Sequence, residues 1–227
     1  MTTGFQSSRR NYCARAETHR YAQCWVALGI SMLEVMAVSP LNSSLPGLTG
    51  PAGRAVAQPM EAALVETLHQ HLTLERQASA TYFAMAIWFA ERELRGFAHF
   101  FKGESRDEQD HAATFADYLI ARGQAVVLEG LVAPRQNWLS PEEIMAASFQ
   151  MEADVTTSLQ QIYVMAERSG DLRSTTFLDP HISGQLASEN QFAHLLGRVR
   201  LAQNQAAALL ILDAELAEGQ HEPAKLA

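Results

Sequence analysis

The stretch RDEQDHAATFADYLIAR, Arg106–Arg122, decides how this chain reads. Phe115 and Leu119 recur at helical spacing, so the segment is a helix that packs through that face. Residues three and four apart share a helix face, which turns Glu108 and His111 toward the same packed side. A buried carboxylate is costly unless a partner compensates it. The question is what that partner is.

The same pattern recurs outward from this segment. Residues 60–93 predict a first helix with a stripe through Leu64, Leu68, Leu72, Glu75, Tyr82 and Phe89. Residues 95–122 predict a second, with Phe97, Phe101, Glu104, Glu108, His111, Phe115 and Leu119 on one side. The short connection around Leu94-Arg95-Gly96 makes the two antiparallel. Residues 123–139 form an irregular connector containing Pro134, long enough to run the length of a bundle. Ser140-Pro141-Glu142-Glu143 then starts a third helix as a capping box with proline in the first turn. It runs to about Arg168 and stops at Gly170. Its stripe is Phe149, Glu152, Val155, Leu159 and Ile162. A fourth helix spans about Ser174 to Ala202, with Pro180 kinking it or delaying its start, and presents Ile182, Gln185, Glu189, Phe192, Leu195 and Val199. AAALLILDAELAEG, 206–219, is a short fifth helix. The fold class is all-α: a four-helix bundle with one long crossover between the second and third helices and a short fifth C-terminal helix.

Each long helix thus sets at least one ligand-type side chain into its apolar stripe. None of the 17 Lys and Arg residues lies on these stripes, so the compensating charge has to come from a cation outside the sequence. Carboxylates with one imidazole suit Fe, Mn or Zn rather than Ca or Mg alone. The Glu-x-x-His unit by itself is a weak signal, and the chain carries its own control in Glu66-Thr-Leu-His69. At 100° per residue, Glu66 lies about 180° and His69 about 120° around the helix from Glu75, which puts both on a solvated face. The set Glu75, Glu108, His111 and Glu152, one carboxylate on each of three helices plus an i, i+3 pair, is the recipe for dinuclear carboxylate sites in bundles.

Charge and cysteine usage narrow the class further. Net charge is −8. Residues 1–58 hold five arginines against two glutamates, a net +3, which leaves −11 for residues 59–227. An acidic body argues against nucleic acid as a partner and suits one that attracts cations. Cys13 and Cys24 both lie in the first segment, so the body has no disulfide framework and no thiolate metal site. The first 58 residues form an N-terminal extension, and 59–227 a bundle domain that carries the candidate dinuclear metal site. The extension combines Arg9-Arg10, the apolar run CWVALGISMLEVMAV and a Ser/Pro/Gly-rich stretch. It reads as a targeting peptide, a twin-arginine export signal, or upstream sequence before a true start at Met36. The apolar run is too short to span a membrane. The expected location is cytoplasmic, with an organelle or export as the alternative if the extension is a targeting segment.

At these residues the sequence resembles the ferritins, over about 60–218. LTLERQASATYFAMAIW looks like the first ferritin helix, with Glu75 at its metal-ligand glutamate and Tyr82 at its tyrosine. RDEQDH matches the paired-acid motif of the second, with Glu108 as bridging carboxylate and His111 as imidazole ligand, and FQMEADVTTSLQQIYVMAERSGD matches the third at Glu152. The family's glutamine falls on Gln185, and the C-terminal helix is of bacterial type. Glu189 and His194 are five apart, the wrong spacing for a second Glu-x-x-His unit. Ser188 stands where some bacterial ferritins place a carboxylate of a third iron site, with Glu189 the residue that could swing inward.

The resemblance implies a ferroxidase that stores iron. Two Fe ions would bind per subunit and give electrons to O2 or H2O2, inside a homo-oligomeric shell of 24 subunits, with no heme. Glu75, Glu108 and His111 would hold the first iron. Glu108 would bridge to a second iron completed by Glu152, and Gln185 would bond a metal-bound water. Asp107 and Glu104 would receive iron moving toward an interior cavity, or else form a solvated helix start. Tyr82 is either an electron donor or a packed tyrosine with a satisfied hydroxyl. Asp179 resembles acids lining the family's channels. The rival reading is a discrete di-iron or di-manganese oxidase, without a shell or mineral.

Overall fold

A computed structural model describes residues 49–219. The targeting, export and Met36 readings of the first segment lie outside the described residues. The described chain forms five α-helices: α1 (Ala62–Ala90), α2 (Arg95–Ala121), α3 (Pro141–Arg168), α4 (Leu172–Ala202) and α5 (Ala206–Ala217). Apart from the isolated bridge between Thr49 and Ala55, no strand occurs among the described residues. No helix among them is long and apolar enough to cross a membrane.

α1 packs along α2 and α3 along α4, the two hairpins meet chiefly through α1 and α3, and α5 covers the start of α2. The 124–139 connector carries the chain from the end of α2 to the start of α3 without a helix. It is pinned to α1 from outside: Arg76 donates to the Glu129 carbonyl, and Gln77 exchanges bonds with both backbone groups of Val132. The His69 ring lies 2.9 Å from the Val65 carbonyl and 3.1 Å from that of Ala125. His69 is therefore a strap for the connector, not a solvated residue, while Glu66 is exposed as expected.

The helix ends follow their local chemistry, with two departures. Ser140 caps α3 by accepting from the Glu143 amide at 3.2 Å. Glu143, however, reaches back to the Leu139 amide at 2.6 Å rather than to Ser140, and pairs with Arg135. α4 starts at Leu172, earlier than expected, and runs unbroken through Pro180. Its cap, Asp171, accepts from the Ser174 amide and is held by a two-pronged bond from Arg122 at 2.7 and 2.9 Å. That tertiary anchor fixes the helix start upstream of the proline. The first turn of α2 has no side-chain cap of its own. Asp213 of α5 supplies one, accepting from the Phe97 amide at 2.9 Å. Gly96 permits the approach, since a Cβ there would lie 1.7 Å from the Asp213 carbonyl oxygen.

The apolar core is in two parts. One is built on Tyr82, Phe89, Phe97, Phe101, Ile144 and Phe192, the other on Leu68, Leu72, Phe115, Leu119, Leu159 and Ile162. On every long helix the break between them falls at the polar residues of the stripe.

Candidate metal centre

Five polar side chains fill the gap between the two apolar clusters. His71 and Glu75 of α1, Glu108 of α2, Glu152 of α3 and Gln185 of α4 are all less than a tenth exposed. One donor atom each from Glu75, Glu108 and His111 lies within 4.8 Å of the other two. Nδ1 of His111 is 3.2 Å from Oε2 of Glu108. Helical spacing placed His111 on the packed side, but its side chain is 49% exposed. Three residues advance a helix by 300°, which turns His111 about 60° from Glu108 toward the rim of the bundle.

Glu152 sits differently. Its Oε1 accepts from the Tyr82 hydroxyl, and its Oε2 accepts from Gln185 Nε2 at 2.7 Å. The same amide nitrogen also donates to the Glu152 carbonyl at 3.1 Å. Tyr82 is fully buried between Phe101 and Phe192, stacked on the latter. Its hydroxyl is satisfied, and the partner is a site carboxylate.

The electrostatics show what the pocket lacks. Burial pushes Glu108 up to about 8 and Glu152 up to about 7, and also raises Glu75. Among the described residues no lysine or arginine is a leading influence on these three; the cationic influence comes from His111. The neighbouring Glu108 carboxylate in turn lifts His111 to about 9. Glu75 Oε2 is buried and has no partner while the neighbouring carboxyls are ionised; Glu75 and Glu108 bond to each other only when Glu108 carries a proton. Three buried carboxyls, a stranded oxygen and a rim imidazole fit one or two cations of the Fe, Mn or Zn type. In their absence the pocket holds protons.

The remaining candidates lie around this centre. Glu104 is half-buried, accepts from Gln191 at 3.3 Å, and is driven up to about 8 by burial and by Glu152, Asp107 and Glu108. Asp107 is exposed. The Glu189 carboxylate accepts from the Thr156 hydroxyl. Asp179 is exposed and accepts from Tyr163 at 3.2 Å.

Sequence reasoning missed two histidines. His71 is fully buried one turn before Glu75, and half-buried His181 lies one turn before Gln185, its ring 6.3 Å from that of His111. Burial lowers both to about 4, so both are neutral at pH 7. The signal was an i, i+4 step from an identified residue, hidden because the stripe was read through its leucines.

Comparison with known proteins sets this geometry in a lineage. The sequence model of the ferritin-like domain matches residues 65–202, more than half of the chain. A ferritin middle subunit from Salmo salar is 32% identical over 117 residues, 50% of this chain and 66% of that one, a little under two thirds of its length. A bacterial non-heme ferritin from Bacteroides fragilis is 24% identical over 155 residues, covering 68% of this chain and 96% of the relative. Among solved structures, an open-pore ferritin from Archaeoglobus fulgidus superposes with a TM-score of 0.69 at 26% identity, covering 70% of this chain and 98% of that one.

Proposed function

The chain belongs to the ferritin-like domain family, and on that premise we propose that it oxidises Fe(II) at a dinuclear centre and stores the ferric product inside a homo-oligomeric shell. The observation that carries this reading is that, among the described residues, no lysine or arginine pairs with Glu75, Glu108 or Glu152, three buried carboxyls on three helices. A centre built for stability alone would be paired or apolar.

Iron is the substrate. Glu75, Glu108 and His111 take the first Fe(II). Glu108 is shared with a second, completed by Glu152, whose both oxygens are already oriented by Tyr82 and Gln185. Gln185 thus acts on the carboxylate itself, in addition to any role toward bound water. The second iron has fewer ligands and no imidazole, which leaves open positions for the oxidant. Two Fe(II) give one electron each, and O2 with two protons becomes H2O2. The exposed Asp107 and half-buried Glu104 receive iron leaving the centre.

Aerobic Fe(II) addition to the metal-free protein, following absorbance and particle size together, tests this. A fast phase saturating near about two Fe per chain, then slow growth of a soluble mineral in a large particle, is expected of a dinuclear storage protein. A fast phase alone, with surplus iron precipitating outside a small oligomer, would replace storage with a discrete di-iron oxidase.

A further inference from the structure

We infer that His71, with Ser158 behind it, is a positioning residue for the first iron. It takes one oxygen of Glu75 so that the other is presented to the metal. This rests on the dinuclear reading above.

His71 Nδ1 lies 2.9 Å from the Ser158 hydroxyl on α3, and Nε2 lies 2.9 Å from Glu75 Oε1 on its own helix. The two contacts decide the ring's tautomer. Ser158 has no other hydrogen-bond partner among the described residues, so its hydroxyl proton is free to go to Nδ1. A neutral ring that accepts at Nδ1 carries its hydrogen on Nε2. The opposite tautomer would aim an Nε2 lone pair at a carboxylate oxygen, which is repulsive. In the metal-free centre the Nε2 hydrogen is close to Oε1 but out of line, and Nε2 stays without a true hydrogen bond. Glu75 Oε2 is buried on the same carboxyl and has no partner once the neighbouring Glu108 has lost its proton.

Both defects have one remedy. The terminal torsion of glutamate is soft. A small rotation that brings Oε1 into line with the Nε2 hydrogen leaves Oε2 as the single donor to a metal. Bonds that orient a ligating group are worth about 10- to 100-fold in metal affinity. The relay also ties α3 to α1, so the ligand on one helix is set by a hydroxyl on another.

The test is anaerobic titration with Co(II), which binds without redox chemistry and reports its coordination in the visible spectrum. His71→Leu, with circular dichroism confirming an intact fold, is expected to lose about tenfold to hundredfold in affinity at the tighter site and to change the visible bands. His71→Gln keeps an N–H at the Nε2 position and is expected to stay near the parent. Ser158→Ala frees the tautomer and should fall between. Unchanged Co(II) binding in a folded His71→Leu protein overturns the inference, as does a His71→Gln protein that fails as badly as His71→Leu. A parent protein whose Co(II) binding is indifferent to Glu108→Ala would overturn the dinuclear centre itself, a separate and earlier failure.

Discussion

Metal loading should expel protons, in a number that follows from the pocket. At pH 7 Glu108, raised to about 8, is about nine-tenths protonated, and Glu152, raised to about 7, about half. His111 is raised only while Glu108 is ionised, so the two titrate as one pair that holds at least about one proton at pH 7. A metal requires the pair and Glu152 in their deprotonated form, so filling the centre should release between about one and two protons per chain. Affinity should then rise by about one to two powers of ten per pH unit near neutrality, and weaken as pH falls. The assay is Zn(II) added to metal-free protein in a pH-stat, with the protein-free blank subtracted, because Zn(II) avoids oxidation. Glu108→Gln removes its own proton and the carboxylate that raises His111, so its release should be lower by about one. Release below about half a proton per chain, or a Glu108→Gln protein matching the parent, would refute the proton-filled pocket. The sign for stability is set by the same groups. Below pH 4.5 a carboxyl is protonated folded or unfolded. Between 4.5 and about 8 only the folded Glu108 retains its proton, so the metal-free fold loses about 1.4 kcal/mol per pH unit for each such proton as pH rises.

Two further substitutions probe how the centre and its frame are held. Tyr82→Phe deletes the hydroxyl on Glu152 Oε1 and should cost about 1–3 kcal/mol in the metal-free protein. That bond lowers the Glu152 value, so its loss should move the acid limb of Zn(II) binding to higher pH; an unmoved limb would deny Tyr82 this role. Gly96→Ala places a methyl group in the Asp213 carbonyl. It should cost about 3 kcal/mol, read in denaturant unfolding. Unchanged stability would mean that α5 does not dock there.

The sequence by itself determined the elements and most of the polar belt. Helical period, the Ser140-Pro141 start and the Gly170 stop are local signals, and all three stand where the local chemistry put them. Glu75, Glu108, Glu152 and Gln185 were legible because a polar residue inside an apolar stripe breaks a one-dimensional pattern, and each proves buried. What tertiary structure alone decided is which atoms meet. The start of α4 depends on Arg122 gripping Asp171 from another helix, and the cap of α2 on Asp213 in a helix more than a hundred residues later. His111 lies toward the rim, Glu189 is held by Thr156, and His71 enters the centre through Ser158. Spacing fixes only the angle at which a side chain leaves its helix. Whether that direction ends in solvent, in a hydroxyl or in a carboxylate depends on the neighbouring helix, and the period of a single helix carries no record of it.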